Sequence, residues 1–446
     1  MQATRRYFLQ ASAAGLAGAQ AAAGQERKIS PADKIRFATI GIGGMGTGDT
    51  RNALSIPGNE LAAVCDIYDG RLTRAREVFG DAVFTTRDYR EILARKDVDA
   101  VIIATPDHWH AQMAIDALNA GKDVYLQKPM VQQIEQGKAV IEAWKKSGRI
   151  LQVGSQYVSS VIYAKTKELI QSGAIGQLNM VEAWLDRNTA IGAWQYSIPP
   201  DATPSNIDWD RFLGSAPKTP FDPVRLFRWR NYQDYGTAVA GDLFVHLLSG
   251  LHVSTGSHGP LRIFATGGLR YWRDGRDVPD VMLALMDYPE TPRHPAFNLV
   301  LRVNFKCGLA EEQFGFRFVG SGGSILAGEA VELKKTPDEK EPGFTIGTFP
   351  KGVQEEFLKE YRRQYPPAPV NAANLRTETV ERFMPPPGYN PHVDHHRVFW
   401  AAVRSRKPVV EDPVFAFRAA GPALLANTSY FEGRIVKWDP ETMTAS

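Results

Sequence analysis

The sequence is poor in cysteine and has no hydrophobic run of transmembrane length. Its two cysteines, Cys65 and Cys307, lie far apart in the chain. This argues against the disulfide framework that stabilises small secreted domains. The weakly apolar run over residues 11–23 is short and rich in alanine, which argues against a spanning helix. We therefore expect stability to come from a large apolar core, and we expect no membrane span.

The chain also lacks a strong excess of charge of either sign. Its formal net charge is +3, and this includes two arginines near the N-terminus. There is no basic tract and no repeated Lys/Arg stripe of the kind that binds a phosphate backbone. Nucleic acid is therefore not expected as a partner.

The N-terminal segment, residues 1–24, has the pattern of an export signal. Arg5 and Arg6 precede an aromatic residue and a leucine, and a weakly hydrophobic run follows that ends in small residues. This pattern predicts a twin-arginine signal with cleavage near Ala23 or Gly24, the twin-arginine translocase as a partner, and a periplasmic or otherwise exported protein. The alternative is an unstructured N-terminus with a chance arginine pair.

The most informative motif is a glycine-rich turn after a short apolar strand. Residues 37–40 form a predicted buried strand, and the segment from Gly41 to Gly46 matches G-x-G-x-x-G. Gly41 permits a tight turn, Gly43 lets backbone amides approach a pyrophosphate, and Gly46 lets the next helix pack on the strand. The unpaired N–H groups at that helix N-terminus favour phosphate.

A second predicted strand, residues 60–65, ends at Asp66. This is where a carboxylate binds the adenosine ribose hydroxyls, and it favours NAD because it repels a 2′-phosphate. Arg71 could bind that phosphate if Asp66 turns aside, so NADP stays open. The dinucleotide contacts predicted here are Gly41, Gly43, Gly44, Met45, Gly46, Asp66 and Arg71.

Strands and helices alternate strictly over residues 28–156, which predicts an α/β domain with a doubly wound (Rossmann) parallel sheet. Residues 157–446 predict an α+β domain with an open, mainly antiparallel sheet. Within them, residues 336–391 are rich in proline and charge and predict a surface insertion.

Three further motifs carry reactive or hydrogen-bonding side chains. They are Thr105-Pro106 with His110, Gln127-Lys128-Pro129, and Asp242 with His246. With the glycine turn, they make residues 35–319 resemble the Gfo/Idh/MocA oxidoreductases, a family that includes glucose–fructose oxidoreductase and inositol dehydrogenase. The resemblance implies an NAD(P)-dependent enzyme that acts on a hydroxyl of a small carbohydrate.

Lys128 is the first candidate catalytic residue. It follows a central strand, at the sheet edge where ligands of open α/β sheets bind. The resemblance implies that Lys128 hydrogen-bonds the reacting hydroxyl, and that Thr105, Pro106, His110 and Gln127 lie against the nicotinamide. The family motif is Glu-Lys-Pro, and Gln127 removes a negative charge that would raise the pKa of the lysine.

Asp242 and His246 are the other candidate catalytic residues. They lie four residues apart, so a helix over residues 239–252 places them on one face. A carboxylate near an imidazole orients the ring, which suits a general base. The resemblance implies that His246 accepts the hydroxyl proton while Asp242 and Lys128 orient the substrate. The alternative is an ion pair on the helix surface.

Paired histidines raise the question of a metal. His108 and His110 follow a Rossmann strand, so we predict no metal there and a role for His110 in shaping the nicotinamide pocket. A second cluster is predicted to lie in a surface loop that runs into a helix, although a site lined by it is left open. Its members are His392, Asp394, His395 and His396.

Candidate substrate contacts lie in the second domain. Arg187 and Asn188 follow its first strand, at the edge that faces the cleft in the family. Trp229, Arg230 and Tyr232 combine planar donors with aromatic faces, which suits sugar hydroxyls and C–H faces. The alternative is that this aromatic segment is part of the core.

These observations predict an exported sugar oxidoreductase, a homo-oligomer, with a tightly bound cofactor. Because free nicotinamide is expected to be scarce outside the cytoplasm, the reaction should reset its own cofactor. A second sugar could take the hydride back, or the hydride could return to the same sugar after elimination, as in the family's redox-assisted glycosidases. The alternative from another class is a non-catalytic sugar- or nucleotide-binding protein.

Overall fold

The computed structural model describes residues 34–310, 312–336, 344–366 and 380–446. The predicted export signal lies outside the described residues. Over these four ranges, the structure contains no helix with the length and apolar character needed to cross a bilayer. Both cysteines are free thiols.

The first domain is built on a sheet of parallel strands in the order β3-β2-β1-β4-β5-β6. The strands are β1 (Ile35–Ile40), β2 (Asn59–Cys65), β3 (Phe84–Thr86), β4 (Ala100–Ile103), β5 (Asp123–Leu126) and β6 (Leu151–Val153). The helices between them are α1 (Gly44–Leu54), α2 (Asp69–Phe79), α3 (Tyr89–Leu93), α4 (His110–Asn119) and α5 (Gln136–Ser147). The strand order reverses between β1 and β4, and the crevice at their carboxyl ends is where such sheets bind ligands. The predicted doubly wound sheet is confirmed.

The second domain is built on a ten-stranded sheet in the order β14-β13-β12-β11-β7-β10-β9-β8-β15-β16. Its strands are β7 (Leu178–Asp186), β8 (Arg262–Gly268), β9 (Val281–Tyr288), β10 (Phe297–Asn304), β11 (Gln313–Gly320), β12 (Gly323–Ala327), β13 (Val331–Lys335), β14 (Val380–Phe383), β15 (Val436–Asp439) and β16 (Thr444–Ala445). Strands β7 and β10 pair in parallel and the other neighbours are antiparallel. This confirms the predicted open, mainly antiparallel sheet.

Helices cover one face of this sheet. The helices of the second half are α6 (Val161–Gln171), α7 (Trp209–Leu213), α8 (Pro223–Phe227), α9 (Val245–Thr255), α10 (Lys351–Gln364), α11 (Pro391–Ser405) and α12 (Pro413–Glu432). Helices α6, α9 and α12 contact the strands, which explains why buried and more exposed residues alternate along β7. Within the segment predicted as an insertion, β14 joins the sheet beside β13.

Helix α11 returns to the first domain and packs against α1. Its Phe399 and Trp400 are fully buried in a cluster with Phe37 and Tyr125 of the parallel sheet. The Trp400 and Phe37 rings lie 5.2 Å apart. Late residues of the chain therefore complete the core of the first domain.

A long excursion of the second domain, residues 196–235, lies across the carboxyl end of β2. We call it the strap. Ile207 forms a β-bridge with Tyr68, and the Tyr68 hydroxyl donates to Asp201 at 2.6 Å. Farther along, the backbone carbonyl of Phe212 accepts from the indole N–H of Trp109 at 2.9 Å. The strap is thus fastened to the first domain along its length.

Candidate active site

A cleft runs along the carboxyl edge of the parallel sheet, beneath the strap. The first domain contributes most of the dinucleotide contacts predicted from the sequence: Gly41, Gly43, Gly44, Met45, Asp66, Arg71, Thr105, Pro106, His110, Gln127 and Lys128. The strap contributes apolar and aromatic side chains together with two arginines: Tyr196, Arg211, Phe212, Leu226, Phe227, Trp229 and Arg230. The cleft is therefore closed by residues from both domains.

The glycine-rich turn forms the floor of the cleft. Gly41 has φ of +86°, and a Cβ there would lie 2.6 Å from the Ala104 carbonyl oxygen, so only glycine fits without strain. A Cβ at Gly46 would overlap the Gly41 carbonyl, which gives Gly46 a packing role. Helix α1 begins after Gly43 with no side-chain cap and no acidic residue in its first turn. Its free N–H groups suit an anion.

Asp66 lies at the end of β2 with both carboxylate oxygens held in place. Ile42 N donates to Oδ2 at 3.0 Å and Tyr68 N donates to Oδ1 at 3.1 Å. The Arg71 guanidinium lies 3.5 Å from Oδ2 and stacks over Phe227 of the strap. An acid and an arginine thus lie together where the sequence predicts the adenosine ribose.

Buried polar atoms in the cleft fit a nicotinamide nucleotide. The hydroxyl oxygen of Thr105 is buried and has no hydrogen-bond partner within the described part of the chain, so a polar ligand group would satisfy it. His110 lies between two loops, with Nδ1 2.7 Å from the Pro129 carbonyl and Nε2 2.9 Å from the Thr105 carbonyl. Burial lowers the pKa of His110 to about 4, so the ring is neutral and donates a hydrogen bond to only one of these two carbonyls.

At the inner end of the cleft, three charged side chains form what we call the front cluster: Lys128, Asp242 and Arg230. Lys128 Nζ donates to Asp242 Oδ1 at 2.6 Å and to the Asp242 carbonyl at 2.9 Å. Arg230 Nε donates to the same Oδ1 at 3.1 Å. Burial lowers the pKa of Lys128, whereas Lys128 and Arg230 outweigh burial and lower that of Asp242. The cluster joins the two domains.

His246 lies one turn beyond Asp242. The predicted regular helix begins instead with a π-helical segment, Ala240–Phe244, that continues as α9. Such segments are frequent at functional sites. Burial, followed by the charge of Lys128, holds the pKa of His246 well below its usual value. Its Nδ1 is buried and no described residue bonds to it. Neither His246 nor Asp242 is among the described residues that line the cleft.

Asp107 is a site residue that the sequence analysis did not assign. It follows Pro106 and lines the cleft while being 1% exposed. Its Oδ2 accepts from the Thr237 hydroxyl at 2.7 Å. Its position shortly after a Rossmann strand, at the carboxyl edge of the sheet, is the sequence feature that could have identified it.

Behind the cleft lies a second group of buried polar side chains, here called the rear cluster: Asp49, Gln127, His396 and Tyr125. The Gln127 amide donates to Asp49 Oδ2 at 2.7 Å, and His396 Nε2 donates to Asp49 Oδ1 at 3.1 Å. Tyr125 stacks on His396 with ring centroids 4.2 Å apart. A glutamate at position 127 would set two carboxylates against each other, which explains why glutamine fits here.

The histidine-rich segment is not the predicted surface loop. Helix α11 begins at Pro391, and His395 and His396 are fully buried within it. His395 Nε2 donates to the Val153 carbonyl at 2.8 Å. Among the described residues, no group of three or more His, Cys, Asp or Glu side chains could hold a metal ion. The two histidines therefore hold α11 on the parallel sheet.

The candidate substrate contacts have different surroundings. Trp229 and Arg230 line the cleft. Arg187 is paired with Glu312 at 2.8 Å, and its charge lowers the pKa of Asp242 and His246, so it lies near the front cluster. The Asn188 side chain accepts from Gly308 N at 3.1 Å.

Tyr232 is placed in the core instead of at the cleft. It is 7% exposed in a cluster with Tyr68 and Phe227, and Arg225 stacks over its ring at 4.5 Å. Tyr232 is therefore a core residue of the strap and not a substrate contact, as the alternative interpretation of the sequence expected.

Fold and cleft together define a two-domain protein whose first domain is a dinucleotide-binding Rossmann domain. Residues 35–155 match the Gfo/Idh/MocA family, described as an oxidoreductase family with a NAD-binding Rossmann fold. The matched segment covers β1 to β6 and every predicted cofactor contact.

Inositol 2-dehydrogenase of Salmonella typhimurium is 36% identical over 149 residues, which cover 33% of this chain and 44% of the relative. A glycosyl hydrolase family 109 protein of Shewanella baltica is 31% identical over 163 residues, which cover 34% of this chain and 35% of the relative. The chain thus spans less than half the length of the curated relatives it matches.

The likeness in fold extends much farther than the likeness in sequence. Levoglucosan dehydrogenase, solved in complex with NADH and levoglucosan, superimposes with a TM-score of 0.65 at 17% identity. The superposition covers 91% of this chain and 99% of that chain. The second domain therefore shares the fold of that enzyme.

Proposed function

We propose that this protein is an exported NAD-dependent oxidoreductase that acts on a hydroxyl of a sugar or glycoside and keeps its cofactor bound through turnover. The observation that carries the proposal is the front cluster. Lys128 of the matched Rossmann domain lies 2.6 Å from Asp242 of the second domain, beside the neutral His246. A lysine donor and an imidazole acceptor suit the removal of a proton from a hydroxyl that is being oxidised.

The residues divide the chemistry between them. NAD, held by the glycine turn, Asp66 and Thr105, would accept the hydride. Lys128 donates a hydrogen bond to the substrate oxygen and favours the alkoxide that forms when its proton leaves. His246 accepts that proton, since its lowered pKa keeps it neutral before the reaction. Asp242 holds the Lys128 ammonium toward the cleft through the 2.6 Å bond.

The strap supports retention of the cofactor. It covers the adenosine end of the cleft with Leu226 and Phe227, and it is bonded to the first domain at Tyr68 and Trp109. Release of a dinucleotide would require several of these contacts to open together. Mass spectrometry of the purified, denatured protein should find one nucleotide per chain. We expect NAD, because of Asp66; NADP alone would contradict that preference, and no nucleotide would contradict retention and favour a non-catalytic binder.

A second candidate function is favoured by the similarity to a glycosyl hydrolase family 109 protein. In this reaction the hydride returns to the same sugar after the glycosidic substituent has been eliminated. A glycoside deuterated at the oxidised carbon separates the alternatives. Label kept in a cleaved sugar supports the glycosidase, and label on a second sugar supports sugar–sugar transfer. Label in free NADH would contradict both and indicate a conventional dehydrogenase.

Export is the part of the proposal that depends on Arg5 and Arg6. Replacement of both by lysine should leave the full-length protein in the cytoplasm of a host that has the twin-arginine translocase. Fractionation of the two forms measures this, and equal export would remove the location from the proposal. Size-exclusion chromatography with light scattering tests the proposed homo-oligomer on the same samples.

A further inference from the structure

Tyr196, the first residue of the strap, lines the cleft and has no part in the chemistry described above. It shares the cleft with Lys128 and Arg230. Among the described residues, its one hydrogen-bond partner is Arg228, whose Nε donates to the backbone carbonyl of Tyr196 at 3.0 Å. The phenol oxygen is neither bonded by a described residue nor enclosed by the protein, so it can donate to and accept from a ligand.

The bond to Arg228 also places Tyr196 close to the front cluster. Arg228 directly precedes a short 3₁₀ turn, Trp229–Asn231, which contains Arg230. Arg230 Nε donates to Asp242 Oδ1 at 3.1 Å. Against burial, Asp242 and then Tyr196 raise the pKa of Arg230, which agrees with this placement. Tyr196 is therefore fastened only two residues away from a member of the front cluster.

The chain adopts a rare conformation just before Tyr196. Trp194 has φ of +65°, a left-handed conformation that a bulky residue adopts only where its surroundings hold it there. Trp194 is 1% exposed, and its ring packs edge-on against Phe305 with ring centroids 4.8 Å apart. A buried aromatic contact thus fixes the turn that leads into Tyr196.

A chain of polar side chains holds the same turn from the other side. Arg276, whose side chain is fully buried, pairs through Nε with Asp274 at 2.8 Å. Asp274 accepts from the Gln195 amide, and the Gln195 side-chain oxygen accepts from Arg228 at 2.5 Å. A buried ion pair is weak evidence for added stability, whereas hydrogen-bonded support of this kind fixes the position of a site residue. The residue that this chain of contacts fixes is Tyr196.

We propose that Tyr196 is a substrate-binding residue that hydrogen-bonds a hydroxyl of the sugar other than the one that is oxidised. This rests on the proposed function and narrows its substrate class to carbohydrates with a second free hydroxyl near the reacting carbon. With Lys128 on the reacting oxygen and Tyr196 on a second oxygen, the sugar is held at two points. Two contacts fix the direction of the C–H bond that loses the hydride. Tyr196 itself takes no part in the proton or hydride transfer.

A pair of variants and a pair of substrates isolate this hydrogen bond. Tyr196→Phe keeps the ring and removes the hydroxyl. Tyr271→Phe is the matched control, because Tyr271 is 55% exposed and is not among the described residues that line the cleft. The probes are D-glucose, D-galactose, D-mannose, myo-inositol and the methyl glycosides of the three hexoses, together with the monodeoxy analogues of each compound that is oxidised. Absorbance of the reduced nicotinamide, with NAD present, gives kcat/KM for each.

In the wild type, the analogue that lacks the bonded hydroxyl should react about 3- to 10-fold more slowly than its parent, the scale for one neutral hydrogen bond. Tyr196→Phe should slow the parent by the same factor and leave that analogue unchanged. Tyr271→Phe should keep the wild-type difference between the two.

A merely structural role of Tyr196 would slow parent and analogue equally, because neither loss would depend on the missing hydroxyl. Such an equal loss, or a wild-type difference retained in Tyr196→Phe, overturns the proposal for Tyr196 and leaves the proposed function standing. If none of the probes reduces NAD in the wild type, the proposed function is contradicted instead, and the proposal for Tyr196 falls with it.

Discussion

The front and rear clusters begin at adjacent residues and are built on opposite principles. Lys128 enters the front cluster, where every member is charged and where Lys128 and Arg230 line the cleft. Gln127 enters the rear cluster, where a single carboxylate, Asp49, is shared by an amide and an imidazole. Two adjacent residues of one turn thus contribute to the reaction site and to the buried hydrogen bonds behind it.

The contrast shows where the protein tolerates concentrated charge. In the front cluster Asp242 compensates two cations, and a substrate hydroxyl can add a further hydrogen bond. In the rear cluster Asp49 and His396 are fully buried, so an added charge would have no solvent and no ligand to stabilise it. Changes in front should therefore affect turnover as well as stability, whereas changes behind should affect stability alone.

Loss of His246 should have the largest effect. His246→Ala should lower kcat by about 10²–10⁴-fold, the scale for a lost general base. The nucleotide found by mass spectrometry should remain bound, because His246 lies outside the nucleotide domain. His258→Ala is the matched control, since His258 is a partly exposed histidine paired with Glu441. Near-wild-type turnover of His246→Ala would remove this residue from the mechanism.

Breaking the front ion pair should cost stability as well as activity. Removing one partner of a buried pair costs about 3–5 kcal/mol, and Arg230, still bonded to Asp242, should keep Lys128→Met at the low end of that range. Lys335→Met is the control, because Lys335 and its partner Glu381 are both exposed, and such a pair should contribute at most about 1 kcal/mol. Urea unfolding measures both. Equal losses would mean that the front cluster is not a buried pair.

A charge added to the rear cluster should destabilise the fold by less. Gln127→Glu places a second carboxylate beside Asp49 and should cost about 1–3 kcal/mol at neutral pH. Because the pKa of the new glutamate would be raised above its unfolded value of about 4.3, the loss should shrink as the pH falls toward that value. Gln112→Glu makes the same change at an exposed position beside Asp116 and should cost less than about 0.5 kcal/mol. If the stability lost in Gln127→Glu did not change as the pH falls, this would contradict the contact with Asp49.

The pH dependence of Tm should separate the two carboxyl groups of the reaction site. The pKa of Asp107 is raised to about 7 from an unfolded value of about 3.9, so its contribution to stability falls as the pH rises between these values. The lowered pKa of Asp242 acts oppositely: its contribution is present above about 3.9 and is lost in acid. Asp107→Asn should therefore lose less Tm than the wild type between about pH 4 and pH 7. Parallel curves would mean that Asp107 does not titrate there.

Much of the site could be predicted because local spacing encodes it. The glycine turn, Asp66 and Lys128 each follow from a strand end, whereas the π-helical turn between Asp242 and His246 departs from the regular helix that their spacing predicts. The bonds from Gln127 to Asp49 and from Asp107 to Thr237 join residues that are distant in sequence. The burial of Tyr232 and of the α11 histidines also depends on partners elsewhere in the chain, so periodicity alone could not reveal it.

The strap has a consequence for exchanging parts between related proteins. The adenosine end of the cleft is formed by Asp66 and Arg71 on one side and by Leu226 and Phe227 on the other. A Rossmann domain transferred without the strap would lack the side of the nucleotide pocket that Leu226 and Phe227 form. Recombination that preserves nucleotide affinity must therefore move residues 196–235 together with the Rossmann domain, although some forty residues of the second domain's sheet and helices separate the two segments.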